Sequence, residues 1–114
     1  MGFLDSVFGS AVPAVDVVHL KAAREAGKVP VLVDVRTPEE YQGGHVPGAI
    51  LMPLADFGQQ VEQLAPYKGQ DIYVICRSGA RSARACGILA ERGYKGINVD
   101  GGTMAWVAQG WPVE

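Results

Sequence analysis

The sequence predicts an α/β fold: one domain with a central, mainly parallel sheet of about five strands and helices on both faces. Two observations carry that expectation. Short apolar, β-branched runs alternate along the chain with segments of helical periodicity. The clearest runs, Val31-Leu32-Val33-Asp34-Val35 and Ile72-Tyr73-Val74-Ile75, do not alternate apolar with polar residues. Strands of that kind are covered on both faces, as parallel strands are.

Composition narrows the class. The 114 residues suit one domain, and 48% hydrophobic with 19% charged residues describes a globular chain. A formal net charge of −2 gives no reason to expect a nucleic-acid partner. No apolar run approaches the roughly 20 residues of a membrane-spanning helix. The first residues carry no basic stretch of a secretory signal, so the expected location is cytoplasmic, with no transmembrane segment.

Residues 1–14 are read as an extension preceding a domain over 15–114, with Phe3, Leu4, Val7 and Phe8 on one face of a short amphipathic helix. The opening Met-Gly-x-x-x-Ser also fits a minimal acylation pattern, one short enough to arise by chance. Asp16 caps a helix through Val17, Leu20, Ala23 and Arg24, with Gly27 as its stop. After the Val31–Val35 strand, Thr37-Pro38-Glu39-Glu40 is a capping box with proline at the first helical position, and Gly43-Gly44 ends that helix quickly. His45 to Pro53 is a turn into a short strand. Ala55 to Leu64 places Phe57, Val61 and Leu64 on one helical side, and Pro66 and Lys68-Gly69 break the chain. A helix from Ala80 to Arg92 comes next, with Ala83, Gly87 and Ala90 on one stripe, Cys86 and Leu89 beside it, and Gly93 as its C-terminal glycine. Ile97-Asn98-Val99 is the last strand, and Gly101-Gly102 opens a helix closed by Gly110.

Chemistry concentrates at Cys76-Arg77-Ser78-Gly79-Ala80-Arg81-Ser82. The Ile72–Ile75 run delivers Cys76 to a strand end, and a glycine-containing loop leads into a helix N-terminus. In an open parallel sheet, ligands bind at the carboxyl ends of strands. Loop amides, the helix dipole and the guanidinium groups of Arg77 and Arg81 together favour a thiolate there. Arg77 either faces the mouth and attracts an anionic substrate or is a solvated surface arginine. Arg81 either braces the loop through its carbonyls or points inward to hold an oxyanion. Ser78 and Ser82 offer hydroxyl donors, and Ser82, in the first helical turn, is read chiefly as a structural residue. Asp34, Arg36, Glu40 and His45 suit a salt-bridged scaffold bracing the loop, since an ionised thiol needs no general base.

Other features carry little chemistry. Cys86, well inside the helix after the loop, is expected to be a packed core residue. Cys76, Cys86, His19 and His45 have no metal-ligand spacing, and Gly101-Gly102 is too short for a dinucleotide loop. No metal or cofactor is expected.

The chain resembles a single-domain rhodanese over about Val15 to Glu114. Leu32-Val33-Asp34-Val35-Arg36, with Glu39-Glu40-Tyr41 and Gly44-His45-Val46-Pro47-Gly48-Ala49, is similar to the family's first signature. The Cys76–Ser82 segment is similar to its active-site loop. Gly101-Gly102-Thr103-Met104-Ala105-Trp106 with Gly110-Trp111-Pro112 is similar to its C-terminal signature. That resemblance implies a sulfurtransferase in which Cys76 carries sulfur as a persulfide, cradled by the backbone amides from Arg77 to Ser82. It also implies a small-molecule sulfur donor such as thiosulfate and an acceptor such as cyanide, a thiol or a protein cysteine. Polysulfide, glutathione persulfide and a desulfurase partner stand beside thiosulfate as donors. Two rivals remain: a non-catalytic or protein-to-protein persulfide relay, and a phosphatase or arsenate reductase-like enzyme. Related phosphatases place five residues between cysteine and arginine, whereas Cys76 and Arg81 enclose four.

Overall fold

The computed structural model describes residues 12–114. The expectations for Phe3, Leu4, Val7, Phe8 and the opening Met-Gly motif lie outside the described residues. Five strands, β1 (Ala14–Val15), β2 (Leu32–Asp34), β3 (Ile50–Leu51), β4 (Asp71–Ile75) and β5 (Lys95–Val99), form one sheet in the order β1-β5-β4-β2-β3. Every neighbouring pair is parallel. The helices are α1 (Val17–Glu25), α2 (Pro38–Gln42), α3 (Leu54–Gln60), α4 (Ala80–Glu91) and α5 (Gly102–Ala108).

Strand geometry turns the continuous apolar runs into two cores, because successive side chains point to opposite faces. Val33, Ile72, Val74 and Cys76 face one core with Phe57, Ala85 and Leu89. Leu32, Tyr73 and Ile75 face the other with Val17, Leu20 and Trp106. Helices α3 and α4 therefore cover one face, and α1 and α5 the other. By this parity Cys76, one residue past β4, belongs to the α3–α4 side.

Most caps form as the residues dictate. The Asp16 side chain accepts from the His19 amide at 2.8 Å, capping α1. Thr37 and Glu40 close the reciprocal capping box of α2, with Pro38 at its first position.

Three expectations differ from the structure. Strand β1 has no counterpart among them: it is two residues long, pairs only with β5, and its backbone leads straight into the α1 cap. The sheet thus takes in Ala14, and the Asn98 amide reaches Pro13 O at 2.8 Å. Second, the helix expected over Ala55–Leu64 is α3 succeeded by a 3₁₀ helix, Val61–Tyr67, which contains Pro66. The tighter winding tolerates the missing proline N–H in a short piece, while Phe57, Val61 and Leu64 all remain buried. Third, the buried stripe of α4 is Ser82, Ala85, Cys86 and Leu89: Cys86 and Leu89 are buried beside the expected stripe, whereas Ala83 and Gly87 are half-buried and Ala90 is exposed. Small apolar residues run almost all round this helix, so hydrophobicity leaves its phase open, and the anchoring of Ser82 sets it.

Candidate active site

Parallel strands β4 and β2 end side by side, with Val33 opposite Val74 and Asp34 opposite Ile75. The residues beyond the two strand ends therefore meet at one edge: Cys76 after β4, Arg36 and α2 after β2. From Cys76 the chain turns back through Gly79, whose φ of 121° an L side chain would strain, and enters α4 at Ala80.

The turn closes on the sulfur. The Gly79 amide donates to Cys76 Sγ at 3.1 Å and the Ser82 amide at 3.3 Å. The Ser82 hydroxyl lies 3.3 Å from the same atom. Ser82 is the third residue of α4, and Gly79 at the N-cap has no side chain to offer. Cys76 Sγ thus occupies the place an N-cap oxygen would take, accepting an amide that has no partner within the helix. Burial pushes the Cys76 thiol up, yet the Ser82 hydroxyl and the amides of Ser82, Gly79 and Ser78 outweigh it. The net shift is below the ordinary thiol value. Cys76 remains only 1% exposed.

Cys86 is the opposite case. It packs in the core against Gly96, where an added Cβ would come within 2.9 Å of Cys86 Sγ. Burial without donors pushes its thiol up to about 12.

The arginines divide their work. Arg81 neither reaches the loop carbonyls nor turns into the cup: its Nη1 and Nη2 donate to Glu40 Oε1 and Oε2 at 2.7 and 2.9 Å. The Arg81 hydrogen bonds, with the Thr37 amide and hydroxyl adding, hold the Glu40 carboxyl at about 2. One carboxylate therefore both caps α2 and ties that helix to the first turn of α4. Arg77 is exposed and forms no ion pair among the described residues. It lines a groove of about 580 Å³ beside the loop, together with Arg36, Glu39, Thr103, Met104 and Val107.

Of the remaining scaffold residues, Asp34 and Arg36 form a buried pair. Arg36 Nε and Nη2 reach Asp34 Oδ1 and Oδ2 at 3.0 and 2.9 Å, and Nη2 also donates to Gly44 O at 2.9 Å. That pair locks the end of β2 to the turn after α2. His45 serves a different place. Its ring stacks on Tyr41 at 3.7 Å, and its backbone exchanges two hydrogen bonds with Glu114. Among these four residues Glu40 is the one hydrogen-bonded to the Cys76–Ser82 segment.

Sequence reasoning misses three residues of the site. Asn98, buried on β5, lies beneath the loop and contacts Ser82 and Gly79. Thr103 donates to Cys76 O through its amide at 2.9 Å and its hydroxyl at 3.2 Å. Gly102, with φ 57°, packs so closely that a Cβ would lie 2.3 Å from Cys76 O. The Gly101-Gly102 pair is the available signal, since paired glycines mark a close backbone approach. Among the described residues no group of three or more His, Cys, Asp and Glu side chains is placed to hold a metal ion.

The family of rhodanese-like domains matches residues 16–109. The chain belongs to that family. It is 40% identical over 93 residues to the putative sulfurtransferase YtwF of Bacillus subtilis, covering 82% of this chain and 88% of that protein. Over 70 residues it is 40% identical to the thiosulfate sulfurtransferase PspE of Escherichia coli, covering 61% and 67%. A solved rhodanese-related protein from Thermoplasma volcanium superposes with a TM-score of 0.80 at 26% identity, covering 90% of this chain and 97% of that one. This rhodanese-like chain is thus a member of a sulfurtransferase family with the expected parallel α/β fold. No helix among the described residues is long and apolar enough to cross a membrane.

Proposed function

We propose that this rhodanese-like protein transfers sulfane sulfur from thiosulfate or another persulfide donor to a thiophilic acceptor, with Cys76 as carrier. The observation that carries the reading is the Cys76 sulfur at the N-terminus of α4, accepting from the Gly79 and Ser82 amides. Such a cup stabilises negative charge on sulfur without a neighbouring base.

The reaction has two balanced halves. The Cys76 thiolate attacks the outer sulfur of thiosulfate; the S–S bond breaks, sulfite leaves with its electron pair, and Cys76 becomes a persulfide. Cyanide or a thiolate then attacks the outer sulfur, and the pair returns to Cys76 as thiolate. Amides of Ala80 and Arg81, in the first turn of α4, have no acceptor within the helix and stand ready for the charge on the outer sulfur. Arg77, at the groove, draws in the anionic donor.

The cup favours sulfur over phosphate. Arg81 commits both terminal nitrogens to Glu40, leaving no inward guanidinium for a tetrahedral anion. The loop also closes to leave Cys76 1% exposed, which suits a single terminal atom.

A protein acceptor is the second reading, favoured by one observation: Met104 and Val107, 50% and 54% exposed, form an apolar wall of the groove beside Arg77. A protein-to-protein relay would use that wall, and transfer to a protein cysteine would then far outpace transfer to a small thiol.

The test is the intact mass of the protein before and after thiosulfate. One added sulfur that cyanide removes, absent in Cys76→Ser, is the expected result. No gain with thiosulfate, polysulfide or a low-molecular-weight persulfide would sink the reading.

A further inference from the structure

Asn98 is buried on β5, and each of its side-chain polar atoms has a defined partner. Its Nδ2 donates to Gly79 O and to Asp100 Oδ1, both at 3.2 Å. Two acceptors on that side fix the amide orientation, because a flipped amide would set oxygen against oxygen. Asn98 Oδ1 therefore faces Ser82 Oγ.

Ser82 Oγ carries one proton and has three neighbours that could accept it: Asn98 Oδ1, Gly79 O and Cys76 Sγ. Gly79 O is already supplied, by Asn98 Nδ2 and by the Ala83 amide at 3.1 Å. The contest is between Asn98 and the sulfur. With Cys76 as a thiol, its S–H donates to Ser82 Oγ and the hydroxyl donates to Asn98, so every group is satisfied. With Cys76 anionic, the hydroxyl must turn to the sulfur, which strips a buried Oδ1 of its donor.

We propose that Asn98 is a positioning residue that holds the Ser82 hydroxyl proton away from the sulfur and yields it only when Cys76 becomes anionic. The hydroxyl is then a switch: aimed at Asn98 in the thiol and the persulfide, aimed at Cys76 Sγ in the thiolate that attacks the donor and leaves the persulfide. Asn98 sets the cost of thiolate formation through this single rotor. Charged groups on the surrounding elements are Asp100 after β5, Arg77 and Arg81, Glu40 on α2, and the Asp34–Arg36 pair at the end of β2. None of them contacts Ser82 Oγ.

The Cys76 titration, read from the pH dependence of iodoacetamide alkylation, tests the switch. Asn98→Ala should lower the midpoint by on the order of half a unit to one unit, the size of one hydrogen bond that differs between protonation states. In a Ser82→Ala background the same substitution should do nothing. An unchanged or raised midpoint for Asn98→Ala, or an equal shift in both backgrounds, overturns the proposal. A second measurement needs no change at Asn98: the ¹³C resonance of its side-chain carbonyl should move with the Cys76 titration in the wild-type protein and stay still in Ser82→Ala. A carbonyl that is flat in the wild type, or that moves equally in both, refutes the switch. The inference rests on Cys76 as the reacting thiol, but both measurements are made without turnover. Failure of sulfur transfer and failure of the switch are therefore separable.

Discussion

Gly102 and Cys76 touch through backbone alone: a Cβ on Gly102 would stand 2.3 Å from the Cys76 carbonyl oxygen and 2.5 Å from that of Arg77. The N-terminus of α5 is thereby seated on the start of the thiol loop, with Thr103 bonded to the same Cys76 carbonyl. Neither carbonyl is a flexible group that could swing aside.

Gly102→Ala should therefore displace the loop, since the clash is with main chain and φ is 57°. The expected cost is about 3 kcal/mol of stability, read by urea denaturation. Sulfur loading should fall with it. An alanine variant of wild-type stability and loading would show that α5 does not brace the loop.

The Glu40–Arg81 pair predicts an acid-sensitive coupling. Glu40 sits at about 2 in the folded protein against an ordinary 4.5, so its contribution is present above pH 4.5 and lost as pH falls through about 2. Both side chains are about one-third exposed, which limits their coupling to about 1 kcal/mol. A double-mutant cycle with Glu40→Gln and Arg81→Met should show that coupling at neutral pH and little of it near pH 2. A coupling independent of pH would contradict the assignment.

The two cysteines should differ sharply in reactivity. At neutral pH iodoacetamide should modify Cys76 on the order of a hundredfold faster than Cys86, because only Cys76 has donors for its thiolate. Peptide mass mapping of partly alkylated native protein reads the ratio directly. Comparable labelling of both would mean that the cup does not activate Cys76.

Asp34 is fully buried and, among the described residues, supplies the only carboxylate bonded to Arg36, which is 6% exposed. Asp34→Ala leaves that guanidinium charged and unmatched, and should cost about 3–5 kcal/mol. Replacing both residues with apolar ones of similar size should recover much of it. If Asp34→Ala alone is near neutral in thermal denaturation, the buried charge is compensated elsewhere.

Arg77 tests the electrostatic mouth. Arg77→Gln should raise the KM for thiosulfate several-fold with kcat little changed, and the effect should shrink at high salt. An unchanged KM would assign Arg77 to the solvated surface.

Much of this is legible in the residues themselves. Continuous apolar runs announce doubly covered strands, and the Thr37–Glu40 box announces α2 by local hydrogen bonding alone. Cys76 stands out because a strand end, a glycine and two arginines surround a thiol within six residues. Strand β1 is not legible, because a two-residue edge strand has no periodicity and forms only once β5 is in place. The buried face of α4 is only partly legible: Cys86 and Leu89 lie near it, but the small residues around them leave its centre undefined until Ser82 is bonded to the loop.

The alternation of strands and helices and the placing of a cysteine at a strand end are properties of the chain alone, because they rest on local propensity and on neighbours in sequence. The surroundings of that thiol are set by tertiary structure. Arg81 meets Glu40 across 41 positions and Thr103 meets Cys76 across 27, contacts made by parallel strands that end at the same edge. Asn98 reaches Ser82 in the same way, from the strand next to the one that delivers Cys76. Hydrogen bonds of such separation leave no local pattern. Their cause is the side-by-side pairing of β2, β4 and β5, which brings residues at the carboxyl ends of these strands around one sulfur atom.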